Sequence, residues 1–284
     1  MRTIQSLFFF VALAMAACVP DDKSGPDQSG TTVAIPTQGA TSPTSYPNMS
    51  LVWADEFTGS ELSNNYWSHE TGNGSNGWGN NELQFYRTQN TSIQNGHLVI
   101  TAKKEAFGGK EYTSSRIVTK GKKDFRYGRV DIRASLPKGQ GIWPALWMLG
   151  SNFDTVSWPA CGEIDIMEMI GGGGRENTVY GTVHWQNEGK NAKYEGKTTL
   201  SSGTYSDKFA VYSIIWDATS IRWLVDNKQF HVIDTTPAEL DEFRRNFFFI
   251  FNVAVGGNWP GSPNSTTAFP QHMIVDYVRV FQTN

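Results

Sequence analysis

Between residues 97 and 281, apolar side chains return at every second position in one stretch after another, the period of strands that bury one face and wet the other. The stretches include His97-Leu98-Val99-Ile100-Thr101, Gly128-Arg129-Val130-Asp131-Ile132-Arg133, Ile221-Arg222-Trp223-Leu224-Val225 and Val275-Asp276-Tyr277-Val278-Arg279-Val280-Phe281. Turn signals separate them: Asn95-Gly96, Gly108-Gly109, Pro137-Lys138-Gly139, the four glycines at 171–174, and Asp226-Asn227. SIRWLVDNKQFHVID reads as a hairpin about Asp226-Asn227. A single helix start stands out, with Thr236 as cap, Pro237 at the first helical position and Glu239 at the third, closing near Arg244-Arg245-Asn246. No internal repeat argues for a propeller or solenoid. The pattern predicts an all-β chain: one sandwich of two curved antiparallel sheets, whose concave face can hold an extended polymer.

The first 47 residues differ from this body. Arg2 supplies a short positive start, residues 4–17 are almost unbroken apolar sequence rich in Phe and Ala, and Cys18 follows Ala16-Ala17. That run is too short to span a bilayer and reads as a signal peptide over residues 1–17. MAAC resembles a bacterial lipobox, in which the cysteine is lipidated and becomes the mature N-terminus. Residues 19–47 are dominated by Ser, Thr, Pro, Gly, Asp and Gln, too polar to order themselves by burying apolar surface, so residues 18–47 are expected to form a lipidated cysteine and flexible tether. An exported protein anchored in the outer membrane or at the cell surface is expected, or otherwise a secreted or periplasmic one. The catalytic domain then occupies residues 48–284.

A net charge of −3 without Lys/Arg clusters excludes nucleic acid as partner, because a phosphate backbone demands a basic footprint. Beyond the leader no apolar run is long enough to cross a membrane, so any membrane contact passes through Cys18. The only other cysteine, Cys161, is read as a small buried residue rather than a reactive thiol, and with Cys18 lipidated no internal disulfide can form. A large core must supply the stability, and a monomer is expected. The 10 Trp, 10 Tyr and 17 Phe can fill that core. They also suit sugar recognition, since the C–H faces of pyranose rings pack on indole faces.

The chemistry concentrates in EIDIMEM. Alternation puts Glu163 and Asp165 on one face and Ile164 and Ile166 on the other, which would send Glu168 to the buried face at a heavy desolvation cost. A β-bulge at Ile166-Met167 adds one residue and returns Glu168 to the face of Glu163 and Asp165. Three converging carboxylates repel one another, which raises at least one pKa, as an acid that stays protonated near neutrality requires. Retaining glycoside hydrolysis uses such a pair about 5–5.5 Å apart. By itself E-x-D-x-x-E also fits a Ca²⁺ site or a solvated acidic strand. Just upstream, Trp143 and Trp147 lie four residues apart, hence on one face of a strand, and bring indoles beside the acids.

With these residues in view the chain resembles glycoside hydrolase family 16, and within it the laminarinase-like endo-β-1,3-glucanases. The resemblance covers residues 51–281 through LVWADEF, GWGNNELQFY, YTSSRIVTKGKKDFRYGRVDIRASLPKGQGIWPALWML, CGEIDIMEMIG, YGTVHW, YSIIWDATSIRWLVD, FNVAVGGNWPG and VDYVRVFQ. It implies a jelly-roll, concanavalin-like sandwich with a concave cleft. It implies Glu163 as nucleophile, Asp165 as assisting acid and Glu168 as general acid/base. Asn81, Arg116, Trp143, Trp147, His184 and Trp259 match residues lining the glucan subsites, and Glu82 either lines the groove or supports its loops. The resemblance further implies no catalytic cofactor but a structural Ca²⁺ on the convex side, held by Glu56, the Gly96 carbonyl and Asp276.

The activity so implied is hydrolysis of internal β-1,3 bonds in laminarin-type or mixed-linked β-glucan by double displacement. The alternatives are a hydrolase of a marine galactan such as agar or carrageenan, and a surface lipoprotein that binds glycans without cleaving them. The bulged motif is shared with agarases and carrageenases. No basic cluster near Trp143 or Glu168 suits a sulfated polymer, and binding-only relatives typically lose one of the acids that this chain keeps.

Overall fold

The computed structural model describes residues 32–284. The signal peptide, Cys18 and the first part of the expected tether lie outside the described residues.

Two sheets face each other. The first, here the cleft sheet, has seven strands in the order Lys190–Thr199, Thr178–Asn187, Glu163–Glu168, Ile142–Gly150, Phe247–Val255, Arg116–Val118 and Ser68–Glu70. The second, outer sheet has ten, with Gly128–Ser135, Ala210–Trp216, Ser220–Val225, Lys228–Asp234, His97–Phe107 and Gln271–Thr283 at its body. The two-residue turn at Asp226-Asn227 has left-handed backbone at both positions (φ 50° and 63°), as a tight hairpin following the strand twist requires. Among the described residues the named strands pair antiparallel except where the short strand Gln84–Tyr86 runs parallel to Lys110–Ser114, and an isolated bridge between Gly39 and Phe209 is also parallel.

Alternation explains the layering. Along Phe247–Val255, residues Phe247, Phe249, Phe251, Val253 and Val255 join the inter-sheet core, leaving Phe248, Ile250, Asn252 and Ala254 to pave the opposite, concave face. The core meets them with Val130, Ile132 and Ala134 of the outer sheet and with Leu146, Met148, Ile164, Ile166 and Val183 of the cleft sheet. Burying a Phe or Ile side chain contributes about 1.5–3 kcal/mol, so this interface is the main source of stability. Cys161 is fully buried in a smaller cluster with Val118, Leu149, Phe248 and Ile250, and burial pushes its thiol up to about 11, in keeping with an inert residue.

Two expectations need correction. Residues 238–244 form a kinked 3₁₀ helix, and Thr236 does not cap it: its backbone N–H and hydroxyl both donate to Asp234 Oδ1, at 2.8 and 2.7 Å, which keeps the side chain out of the helix start. Residues 33–47, read as tether, are strapped along the outer sheet. Val33 N–H donates to Gln94 Oε1, Ala40 N–H to the Phe209 carbonyl, and Ser42 N–H to Tyr277 Oη. Arg133 Nε–H donates to the Ala40 carbonyl, and Tyr46 Oη–H to Asp131 Oδ2 at 2.7 Å. Apart from Val33, Ile35 and Tyr46, the segment has no large apolar side chain of its own. Polar side chains of the sheet hold it instead, and it covers Asp131, Arg129 and Arg133, which the sheet would otherwise expose.

Candidate active site

The bulge exists. Opposite Ile142–Gly150, Asp165 pairs with Trp147 and Met167 with Leu146, so Ile166 is the unmatched residue, and the register against Thr178–Asn187 slips over the same interval. Ile166 and Met167 both go inward, and Glu163, Asp165 and Glu168 all reach the concave cleft. The bulge is held from beneath: Trp223, on the outer sheet, crosses the core to donate its indole N–H to the Asp165 carbonyl at 2.8 Å. Gly181 on the next strand leaves room for that indole, since a β-carbon there would enter the Trp223 ring.

Each acid has different partners. Glu163 accepts a hydrogen bond from Trp158 Nε1–H at 2.9 Å on Oε2, and its Oε1 lies 3.8 Å from His184 Nε2. Asp165 is almost fully buried, and its Oδ2 lies 3.7 Å from the same nitrogen. The other ring nitrogen of His184, Nδ1, faces Asn191 Oδ1 at 3.2 Å, which aims Nε2 at the two acids. Glu168 accepts from Trp143 Nε1–H at 3.0 Å on Oε1.

Burial pushes all three carboxyls up, but by different balances. For Glu163 it is opposed by His184, by the Trp158 N–H, by the Arg116 guanidinium and by a hydrogen bond from Asp165. For Asp165 burial is reinforced by the charges of Glu168 and Glu163, and the group is held well above the carboxylate range. Glu168 is pushed up to about 8 by burial and then by the Glu163 charge, with the Trp143 N–H pulling the other way. The site thus sets side by side two carboxyls under opposite pulls, Glu163 with donors and cations opposing its burial and Glu168 with a neighbouring charge reinforcing it, and places Asp165, held well above the carboxylate range, between them.

The cleft has a volume of about 770 Å³, within the range of ligand sites. Arg116, Trp143, Trp147, His184 and Trp259 all line it, as the sequence predicts. Arg116 sits over the faces of Trp78 and Trp147, with its carbon 4.6 and 4.9 Å from the ring centres, and pairs with Glu70. Trp259 meets Trp143 edge to face at 5.5 Å. Asn81 is the exception. Its backbone is left-handed (φ 57°), its side chain donates to Asn258 Oδ1 at the rim, and Asn80 lines the cleft in its place. Glu82 is buried and receives bonds from Gln84, Asn80 and Tyr86; burial pushes its carboxyl up against the pull of those donors and of Arg116.

Trp158, Trp78 and Asn80, together with Lys193 and Glu195 on the edge strand, also line the cleft and were not anticipated. Trp158 lies in an irregular segment without periodicity; the Trp-Pro pair just before EIDIMEM was its only signal.

The expected calcium ligands do not fit an ion. Both oxygens of Glu56 are taken by Arg279, at 2.7 and 2.9 Å, and Asp276 is held by Arg133 at 2.6 Å and faces His97 Nε2 at 3.3 Å. A dication beside two guanidinium groups would be repelled, and these carboxylates are already satisfied. Among the described residues, the set with metal-ligand geometry is Glu163, Asp165 and His184, which belongs to the acid cluster itself.

The sequence profile of glycosyl hydrolases family 16 matches residues 79–279. The chain belongs to that family. A beta-glucanase of Rhodothermus marinus is 40% identical over 250 residues, covering 83% of this family 16 chain and 86% of the relative. The clotting factor G alpha subunit of Tachypleus tridentatus is 40% identical over 239 residues; that match covers 83% of the chain but spans only 34% of the subunit's length. Among solved structures, the laminarinase catalytic domain of Thermotoga maritima superposes with a TM-score of 0.76 at 45% identity, covering 83% of this chain and 98% of that one. The family places the jelly-roll sandwich and glycoside hydrolysis on firm ground.

Proposed function

We propose that this chain hydrolyses internal β-1,3 bonds of laminarin-type β-glucan with retention of configuration. The observation that carries the reading is the placement of two unlike carboxyls on one face by the bulged strand: Glu163, whose burial is opposed by His184, the Trp158 N–H and Arg116, and Glu168, which burial and the Glu163 charge push up to about 8. Glu168 would protonate the glycosidic oxygen as Glu163 attacks the anomeric carbon from the opposite face, breaking the C–O bond and forming a glycosyl-enzyme ester. Glu168, now ionised, takes a proton from water, which attacks the same carbon and releases Glu163. Asp165 remains protonated and donates to Glu163. Proton transfer and displacement are complete with these side chains, so no catalytic cofactor enters the chemistry.

The choice of β-1,3-glucan is supported by the names of relatives at 40–45% identity, a beta-glucanase and a laminarinase, and by the Trp143, Trp147 and Trp259 walls. The MAAC motif at Cys18 supports export with a lipid anchor, which mass spectrometry of the mature N-terminus would test. For the activity, purified protein is assayed for reducing ends on laminarin, lichenan and agarose, with Glu163→Gln alongside. Release from laminarin that Glu163→Gln abolishes, with the melting curve unchanged, supports the reading. Preferential cleavage of agarose, or a Glu163→Gln variant retaining most activity, overturns it.

A further inference from the structure

Beneath the cleft runs a chain of buried polar groups that the hydrolytic chemistry does not use. Trp147 Nε1–H donates to Asn252 Oδ1 at 2.8 Å, Asn252 Nδ2–H to Tyr86 Oη at 3.2 Å, and Tyr86 Oη–H to Glu82 Oε2 at 3.2 Å. Tyr86 is fully enclosed, and Asn252 and Glu82 are each 6% exposed.

The direction of this relay has one solution. An indole N–H can only donate, so Asn252 must turn its oxygen to Trp147 and its amide N–H to Tyr86. The phenolic oxygen then accepts, and its proton is left for the next group. Glu82 Oε2 accepts that proton and also the Gln84 Nε2–H, and so closes the chain. A Gln there could present either end. Gln84 Nε2–H and Asn80 Nδ2–H also donate to Glu82, at 2.7 and 3.1 Å, and Gln84 Oε1 in turn accepts the Val255 N–H at 2.8 Å. The carboxylate therefore stands on a fixed base tied to the strand that carries Asn252.

An apolar residue would fill this space more cheaply than a buried carboxylate, which needs several donors to offset its desolvation. What the polar version adds is a single rotational setting for an indole in the cleft floor. Arg116 rests over one face of that indole, 4.9 Å from its ring centre. A tryptophan that forms a flat sugar platform gains from being fixed before the ligand arrives, because ordering it on binding costs affinity.

We propose that Glu82 is a positioning residue of the cleft, acting through Tyr86 and Asn252 to fix the indole of Trp147 as a sugar-binding platform. The proposal rests on the reading of the cleft as a polysaccharide site. It assigns Glu82 no contact with the reacting atoms. Cutting the relay should weaken ground-state binding, so KM rises while kcat holds.

The test is a double-mutant cycle on steady-state hydrolysis, using laminarin or whichever polymer of the panel the wild type cleaves, so that failure of the substrate reading and failure of this one are separate results. Tyr86→Phe removes the middle hydroxyl with little change of shape. Glu82→Met removes the terminal acceptor. Each is made alone and together with Trp147→Phe, which deletes the indole N–H that the relay serves. Losing one such bond predicts a KM roughly three- to tenfold higher for Tyr86→Phe, with kcat within about twofold. In the Trp147→Phe background the Tyr86→Phe effect should shrink to less than about 1.5-fold, and most of the Glu82→Met effect should vanish. The same factor in both backgrounds, or a fall in kcat at unchanged KM, overturns the proposal. Should Glu82→Met not fold, the Tyr86→Phe cycle decides alone.

Discussion

Trp158→Phe isolates the hydrogen bond that biases Glu163 toward its ionised form. The substitution keeps an aromatic ring beside His184, whose ring centre lies 6.0 Å from that of Trp158, and removes only the N–H donated to Oε2 at 2.9 Å. A hydrogen bond to a charged group is worth about 1.5–3 kcal/mol. Trp158 is 44% exposed, so water can partly replace its N–H and the lower end, about 1.5 kcal/mol, applies. At about 1.4 kcal/mol per pH unit this amounts to roughly one unit. The donor favours the carboxylate, so its loss raises the pKa of Glu163, and the acid limb of kcat/KM should move about one unit to higher pH. Activity below the limb should fall about tenfold, whereas the plateau near neutrality should change little. Because the three acids titrate together, the limb reports the cluster, but its displacement still reports this bond. Initial rates across the pH range, on wild type and variant, read the displacement directly. An acid limb that stays within about 0.3 unit of wild type would refute the assignment of Trp158 as the donor that tunes Glu163.

Other outcomes follow from the same structure. The alkaline limb should be set by Glu168: the acid form is the active one, so activity should be lost as pH rises through about 8, and Trp143→Phe, which removes a donor to its carboxylate, should move that limb to higher pH. Tyr46→Phe should lower unfolding stability by about 1–2 kcal/mol in urea titrations while leaving kcat/KM intact, because it takes one of three donors from the fully buried Asp131. Chelation should leave the melting temperature unchanged, and added Ca²⁺ should not raise it, since Arg279 and Arg133 already occupy Glu56 and Asp276. A drop of several degrees in EDTA would show that an ion is bound there after all.

What could be read from the sequence was local. Period-2 alternation gave the strands, and one surplus residue between Glu163 and Glu168 was enough to demand a bulge at Ile166-Met167. What could not be read depended on partners far along the chain. Residues 33–47 look unable to order themselves, and the bonds that hold them come from partners far along the chain, Tyr277, Arg133 and Asp131 among them. Glu56 and Asp276 have the oxygen chemistry of calcium ligands, but the sequence does not reveal that arginines reach them first. Thr236 has the right spacing for a cap and lost its hydroxyl to Asp234, two residues back. Asn80 and Asn81 are adjacent and chemically identical, and a left-handed backbone at Asn81 decides which of them faces the cleft. The Glu82 relay is closed by Asn252, 166 residues from Tyr86 in sequence.

The central claim is that Glu163 forms a covalent bond to the sugar and Glu168 supplies and recovers the proton. The most direct measurement follows the anomeric protons by NMR in the first minutes of laminarin hydrolysis, before mutarotation mixes the anomers. The account predicts that the new reducing ends appear first as the β anomer and drift toward equilibrium afterwards. New ends appearing first as the α anomer would contradict it, because water would then have attacked directly and Glu163 could not be the nucleophile.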